Sequence, residues 1–116
     1  MNLVAEDYTL DFSEASQTVG FKGALRLSSM RAYEVVRDFL YRASDKVARG
    51  ARLTLDVTGL QFLNSSGITT LSMFVIAMRD SKRCQLAIKG SRSVAWQYKS
   101  LGNFKRLWSE VDLVVT

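Results

Sequence analysis

The sequence of 116 residues contains no histidine, no proline and a single cysteine. Without histidine the chain can form neither a Ser-His-Asp nor a Cys-His catalytic group, and most zinc sites are excluded. A lone cysteine, Cys84, cannot form an internal disulfide, which is typical of a reducing compartment. No run of about 18 apolar residues is present, and the N-terminus lacks the basic start of a signal peptide. We therefore expect a cytoplasmic protein with no membrane span, no metal site and no cofactor.

The composition is that of a globular domain, with 47% hydrophobic and 23% charged residues. It contains neither repeats nor low-complexity tracts. A chain of this length is long enough to bury a core of its own. We predict a single domain over residues 1–116.

Two periodicities place the elements of secondary structure. Alternating apolar residues predict strands, and the predicted strands are 8–12, 19–27, 53–58, 84–89 and 113–115. Apolar residues at steps of three and four predict helices, and the predicted helices are 30–49, 68–80 and 91–101. Gly50 is expected to end the first helix, and Gly102-Asn103 to break the third before a short helical turn. The order β-β-α-β-α-β-α predicts an α/β fold with a mixed four- to five-stranded sheet and helices packed mainly on one face.

The centre of the chain, residues 53–78, runs from a strand through Asn64-Ser65-Ser66-Gly67 into a helix. A helix N-terminus presents unpaired N–H groups and about half a positive charge. These groups stabilise a phosphate, so a serine in this position can be phosphorylated without unfolding its domain. The structural alternative is that Ser65 and Ser66 serve only as N-caps, which contribute about 1 kcal/mol each.

This central stretch resembles the signature of the STAS domain, the fold of bacterial anti-sigma factor antagonists. The matching residues are Asp56, Gly59, Phe62-Leu63 and Asn64-Ser65-Ser66-Gly67. The resemblance implies a partner-switching regulator that is phosphorylated on Ser65, with Ser66 as the second choice. It also implies a serine kinase of the histidine-kinase-like ATPase type, often the anti-sigma factor itself. A metal-dependent serine phosphatase would reverse the modification.

Asn64 departs from that signature, in which aspartate is usual. A related group of phosphorylated regulators switches a diguanylate cyclase instead of a sigma factor and carries a similar Asn-Ser stretch. Three alternatives therefore stand: an anti-sigma factor antagonist, a regulator of a diguanylate cyclase or another non-sigma target, and an unphosphorylated scaffold or transport-complex subunit. We do not expect an enzyme, because no histidine is available to activate a serine nucleophile.

A partner surface is expected around the first turns of the helix that follows the motif. The residues predicted to bind a partner are Asn64, Ser65, Ser66, Gly67, Thr69 and Met73. The helix is apolar beyond a single stripe, so Met73 belongs either to an exposed patch beside Ser65 or to a contact with neighbouring helices.

The net charge of +5 is unevenly distributed. Residues 79–106 hold eight bases and one acid. These bases are either solvated side chains around a compact domain or a docking surface for an acidic partner. Their uneven spacing matches no recognition-helix motif, so we predict no direct binding of nucleic acid.

Overall fold

The computed structural model describes residues 1–116 as a mixed α/β fold. The six strands are β1 (Asn2–Val4), β2 (Tyr8–Ser13), β3 (Thr18–Leu25), β4 (Arg52–Leu63), β5 (Gln85–Gly90) and β6 (Asp112–Val115). The three helices are α1 (Glu34–Lys46), α2 (Ser65–Ser81) and α3 (Ala95–Leu107). The α/β class is confirmed, but four to five strands were expected, and three-residue β1 is too short to show an alternating pattern. No helix is both long and apolar enough to cross a bilayer.

The strands lie side by side in the order in which they occur in the chain. β1, β2 and β3 are antiparallel, whereas β3, β4, β5 and β6 are parallel. Each connection between two parallel strands contains one helix. The connections all lead to the next strand on the same side, so right-handed crossovers bring the three helices to one face of the sheet. Along β4, Leu53, Leu55 and Val57 are buried while the intervening residues are partly exposed. This alternation buries one face of β4 in the core and leaves its other face partly exposed.

The core is one cluster of 28 buried residues that draws on the sheet and all three helices. Its largest fully buried side chains are Tyr33, Phe21, Phe39, Phe74 and Phe104. Cys84 is also buried, as expected of a cysteine that packs as a small hydrophobe, and burial raises the pKa of its thiol.

The first helix is shorter at both ends than its pattern predicts. Ser29 accepts a hydrogen bond from the Ala32 N–H at 3.1 Å, but it caps a turn that precedes α1. At the other end Val47 is already extended. Gly50 has a φ of +82° and donates its N–H to the Arg83 carbonyl, so it turns the chain toward β4 and does not cap the helix.

Beyond Asp56, β4 no longer pairs with β5. The buried side chain of Gln97 donates instead to the carbonyls of Val57 and Leu60, and Trp96 Nε1 donates to the Leu60 carbonyl at 2.7 Å. The first turn of α3 thereby satisfies backbone groups that the sheet leaves unpaired. This contact supports β4 up to Leu63, where the chain enters α2.

The third helix continues through Gly102 and Asn103, where a break was predicted. Leu101 and Phe104 flank this point and are both buried in the core. A glycine inside a helix costs about 1 kcal/mol, which is less than the burial of two large side chains contributes. Tertiary packing therefore overrides the local preference.

Gly102→Ala should stabilise the protein by about 0.5–1 kcal/mol, because a Cβ at this helical position meets no atom within 4 Å. Gly90→Ala is the matched comparison, since its Cβ would lie 2.2 Å from Leu101 Cδ1 and 3.0 Å from Gln97 Oε1. We expect Gly90→Ala to cost about 1–3 kcal/mol in urea unfolding. A destabilised Gly102→Ala variant would contradict the continuous α3.

Candidate functional site

Asn64 caps the N-terminus of α2 and ties two other segments to it. Its Oδ1 accepts hydrogen bonds from the Gly67 N–H at 3.0 Å and from the Tyr33 hydroxyl at 2.6 Å. Its Nδ2 donates to the Leu27 carbonyl at 2.9 Å. The Gly67 N–H can only donate and the Leu27 carbonyl can only accept, so these two groups fix the orientation of the amide.

Tyr33 is buried just before α1, and its ring carries the hydroxyl that reaches Asn64. Burial raises the pKa of the Tyr33 hydroxyl above its ordinary value, and the nearby Leu27 backbone lowers it in part. The hydroxyl therefore stays protonated at neutral pH and remains a donor to Asn64.

Ser65, the predicted phosphorylation site, is exposed at the first residue of α2. Its hydroxyl makes no hydrogen bond with the protein, and its carbonyl accepts one from Thr69 Oγ1 at 3.0 Å. Capping is performed by Asn64, so the alternative in which the two serines are only N-caps loses its basis. The N–H groups of Ser65 and Ser66 donate to no protein acceptor and can bind an oxyanion.

The other predicted contact residues divide between surface and interior. Ser66 is half-buried, and Thr69 is exposed one turn beyond Ser65. Gly67 is buried, and a Cβ there would lie 2.2 Å from Leu63 Cδ1 and 2.8 Å from the Tyr33 hydroxyl oxygen. Gly67 therefore permits close packing beneath the site and is not itself exposed to a partner.

Met73 is 51% exposed and lines a groove of about 330 Å³ between α2 and the segment that enters α1. Met30, the first residue of the predicted helix 30–49, lies outside α1, is 41% exposed and lines the same groove. The full lining is Met30, Arg31, Tyr33, Glu34, Arg37, Thr70 and Met73. Sequence analysis missed Met30 because its spacing fits the helical pattern although the helix has not yet begun.

A second exposed pair lies at the end of β4. The Arg26 guanidinium stands 4.8 Å from the centre of the Phe62 ring, and Phe62 is 40% exposed. Phe62 precedes Asn64 by two residues, so this pair extends the exposed surface from α2 onto the end of the sheet. Arginine and aromatic side chains are frequent in partner surfaces.

Two of the bases in residues 79–106 bind carbonyls at helix C-termini, and two more have partners in the segment after α3. Arg83 donates to the carbonyls of Asp45 and Val47 at the end of α1, and Arg79 donates to the Leu107 carbonyl at the end of α3. Lys105 binds the carbonyls that follow α3, and Lys82 pairs with Glu110 at 3.2 Å. Cations are stabilising at helix C-termini, which gives Arg79 and Arg83 a structural role, and all four bases have partners within the chain.

No protein-family model matches the sequence, and no curated protein matches it. The fold does match solved structures. One is a chain in the crystal structure of the diguanylate cyclase SiaD in complex with its activator SiaC from Pseudomonas aeruginosa, with a TM-score of 0.71, 13% identity and coverage of 99% of this chain and 97% of that one. Another is SiaC of Pseudomonas aeruginosa, with a TM-score of 0.68, 15% identity and coverage of 100% and 96%. At these identities the likeness is one of fold.

Proposed function

We propose that this protein is a partner-binding regulator whose target is a diguanylate cyclase and whose binding is switched by phosphorylation of Ser65. The observation that carries the proposal is an exposed serine hydroxyl at the start of α2 beside two free backbone N–H groups. It acts as a binding protein, not as an enzyme, because nothing at Ser65 supplies a base to activate the hydroxyl.

The fold favours a cyclase over a sigma-factor pathway as the target. Both structural neighbours concern SiaC, and one is the complex in which SiaC is the activator of a diguanylate cyclase. The sequence departs from the anti-sigma antagonist signature at Asn64, and the cyclase regulators were the alternative with a similar Asn-Ser stretch. These two observations point the same way and support the cyclase target.

The switch works by a local change of charge and shape. A phosphate on Ser65 adds about −1.5 to −2 charge at neutral pH, and the free N–H groups of Ser65 and Ser66 hold it in place. The groove lined by Met30 and Met73 lies along the same helix and offers an adaptable apolar surface to the target. A target packed over Ser65 and the groove meets a repulsion of several kcal/mol when phosphate is added.

We propose two further partners, which the resemblance to the STAS signature implies. A serine kinase of the histidine-kinase-like ATPase type adds the phosphate, and a metal-dependent serine phosphatase removes it. Both must reach Ser65, whose exposed hydroxyl has no bond to the protein to break.

Intact mass spectrometry after incubation with ATP and a candidate kinase tests the modification. We expect one added phosphate on the native chain and on Ser66→Ala, and none on Ser65→Ala. Ser66→Ala is the matched control because it keeps the same turn and the same neighbouring charges. Full phosphorylation of Ser65→Ala would place the modification elsewhere.

Binding to a diguanylate cyclase from the same organism tests the surface. Met73→Ala should weaken the complex about 5- to 30-fold, because an exposed methionine central to an interface contributes about 1–2 kcal/mol. Val114→Ala serves as the control, since Val114 is similarly exposed at 43% but lies on β6. Equal effects of the two substitutions would contradict a partner surface on α2.

A further inference from the structure

Asn64 joins three parts of the chain that are distant in sequence. Its hydrogen bonds to Leu27 and Tyr33 span 37 and 31 residues, and its bond to Gly67 closes the first turn of α2. The segment from Leu27 to Tyr33 carries Met30 and forms one wall of the groove. The position of that wall relative to Ser65 therefore depends on one side chain.

An aspartate in this position would have nearly the same shape but different chemistry. A carboxylate can still accept from the Tyr33 hydroxyl and the Gly67 N–H. It has no donor for the Leu27 carbonyl, and it would bring an oxygen against that carbonyl at the 2.9 Å now spanned by a hydrogen bond. It would also place a full negative charge one residue from Ser65, where the free N–H groups and the positive end of α2 lie.

We infer that Asn64 is a positioning residue for the phosphorylated form of Ser65, and that the role requires an amide. The donor half of the amide holds the Leu27–Tyr33 wall of the groove against α2. Because the Asn64 amide carries no charge, it does not compete with the phosphate for the positive end of α2. This inference rests on the proposed phosphorylation of Ser65 and adds to it the residue that sets the geometry and the charge beside the phosphate.

The charge is tested by placing phosphoserine at position 65 through encoded incorporation and following its second ionisation by phosphorus NMR. In the native background the helix end should hold this pKa below that of a phosphoserine peptide. Asn64→Asp should raise it by about 0.5–1 unit, because a neighbouring carboxylate disfavours the dianion. Asn64→Ser removes the amide without adding charge, so the phosphoserine pKa should stay within about 0.2 units of the native value. An unchanged value in Asn64→Asp would overturn the electrostatic part of the inference.

The wall is tested by hydrogen–deuterium exchange of the unmodified chain. The N–H groups of Ala32 and Tyr33 are the amides of the Leu27–Tyr33 segment that donate hydrogen bonds, to Ser29 and Met30. They should exchange about tenfold faster in both Asn64→Asp and Asn64→Ser, since both substitutions lose the bond that holds the segment at Leu27. Tyr33→Phe is the matched control that removes only the hydroxyl bond, and it should leave the exchange of the Ala32 and Tyr33 amides near native. Amides of β5 report global stability, so an acceleration shared equally by β5 would overturn the local role.

Neither measurement uses a kinase or a target protein. A chain that fails to be phosphorylated by any kinase would contradict the proposed function and still give both results. A chain that is phosphorylated but shows native exchange and a native phosphoserine pKa in Asn64→Asp would contradict the inference alone. If Asn64→Asp fails to fold, the exchange of Asn64→Ser decides whether the wall depends on the amide.

Discussion

The hydrogen bonds of one amide, that of Asn64, determine the geometry at the start of α2. They cap the helix, hold the segment that enters α1 and leave both serines free of any capping role. The same arrangement requires Gly67, because the Leu63 side chain and the Tyr33 hydroxyl fill the space that a side chain would take. The exposed Ser65 hydroxyl thus lies above a closely packed and hydrogen-bonded base, and the proposed modification would add its charge on the exposed side of that base.

The parallel half of the sheet gives the molecule two chemically different ends. The helices start where the strands finish, so the free N–H groups near Ser65 and the exposed Phe62 lie at one end. The helix C-termini lie at the other, where Arg83 and Arg79 bind carbonyls of α1 and α3. The uneven charge along the sequence is in part a consequence of this polarity, because bases near helix C-termini stabilise exposed carbonyls. The proposed phosphorylation site and the basic stretch therefore lie at opposite ends of one topology.

Much of the fold follows from periodicity, because buried strands and amphipathic helices carry their pattern in a few consecutive residues. The position of Ser65 near a helix start could also be predicted, because Asn64-Ser65-Ser66-Gly67 stands between a strand pattern and a helix pattern. What could not be predicted depends on contacts between distant residues. The continuity of α3 depends on the burial of Leu101 and Phe104, and the need for an amide at Asn64 depends on a carbonyl 37 residues away.

The central claim is that a phosphate on Ser65 remakes the surface at the start of α2 while the fold persists. Comparing amide NMR spectra of the chain with serine and with phosphoserine at position 65 tests this claim most directly. The account predicts large shifts confined to residues 64–73 and the Leu27–Tyr33 segment, with β5 and α3 unchanged and a melting temperature equal to or above that of the unmodified chain. Loss of spectral dispersion, or shifts spread through the core strands, would contradict it.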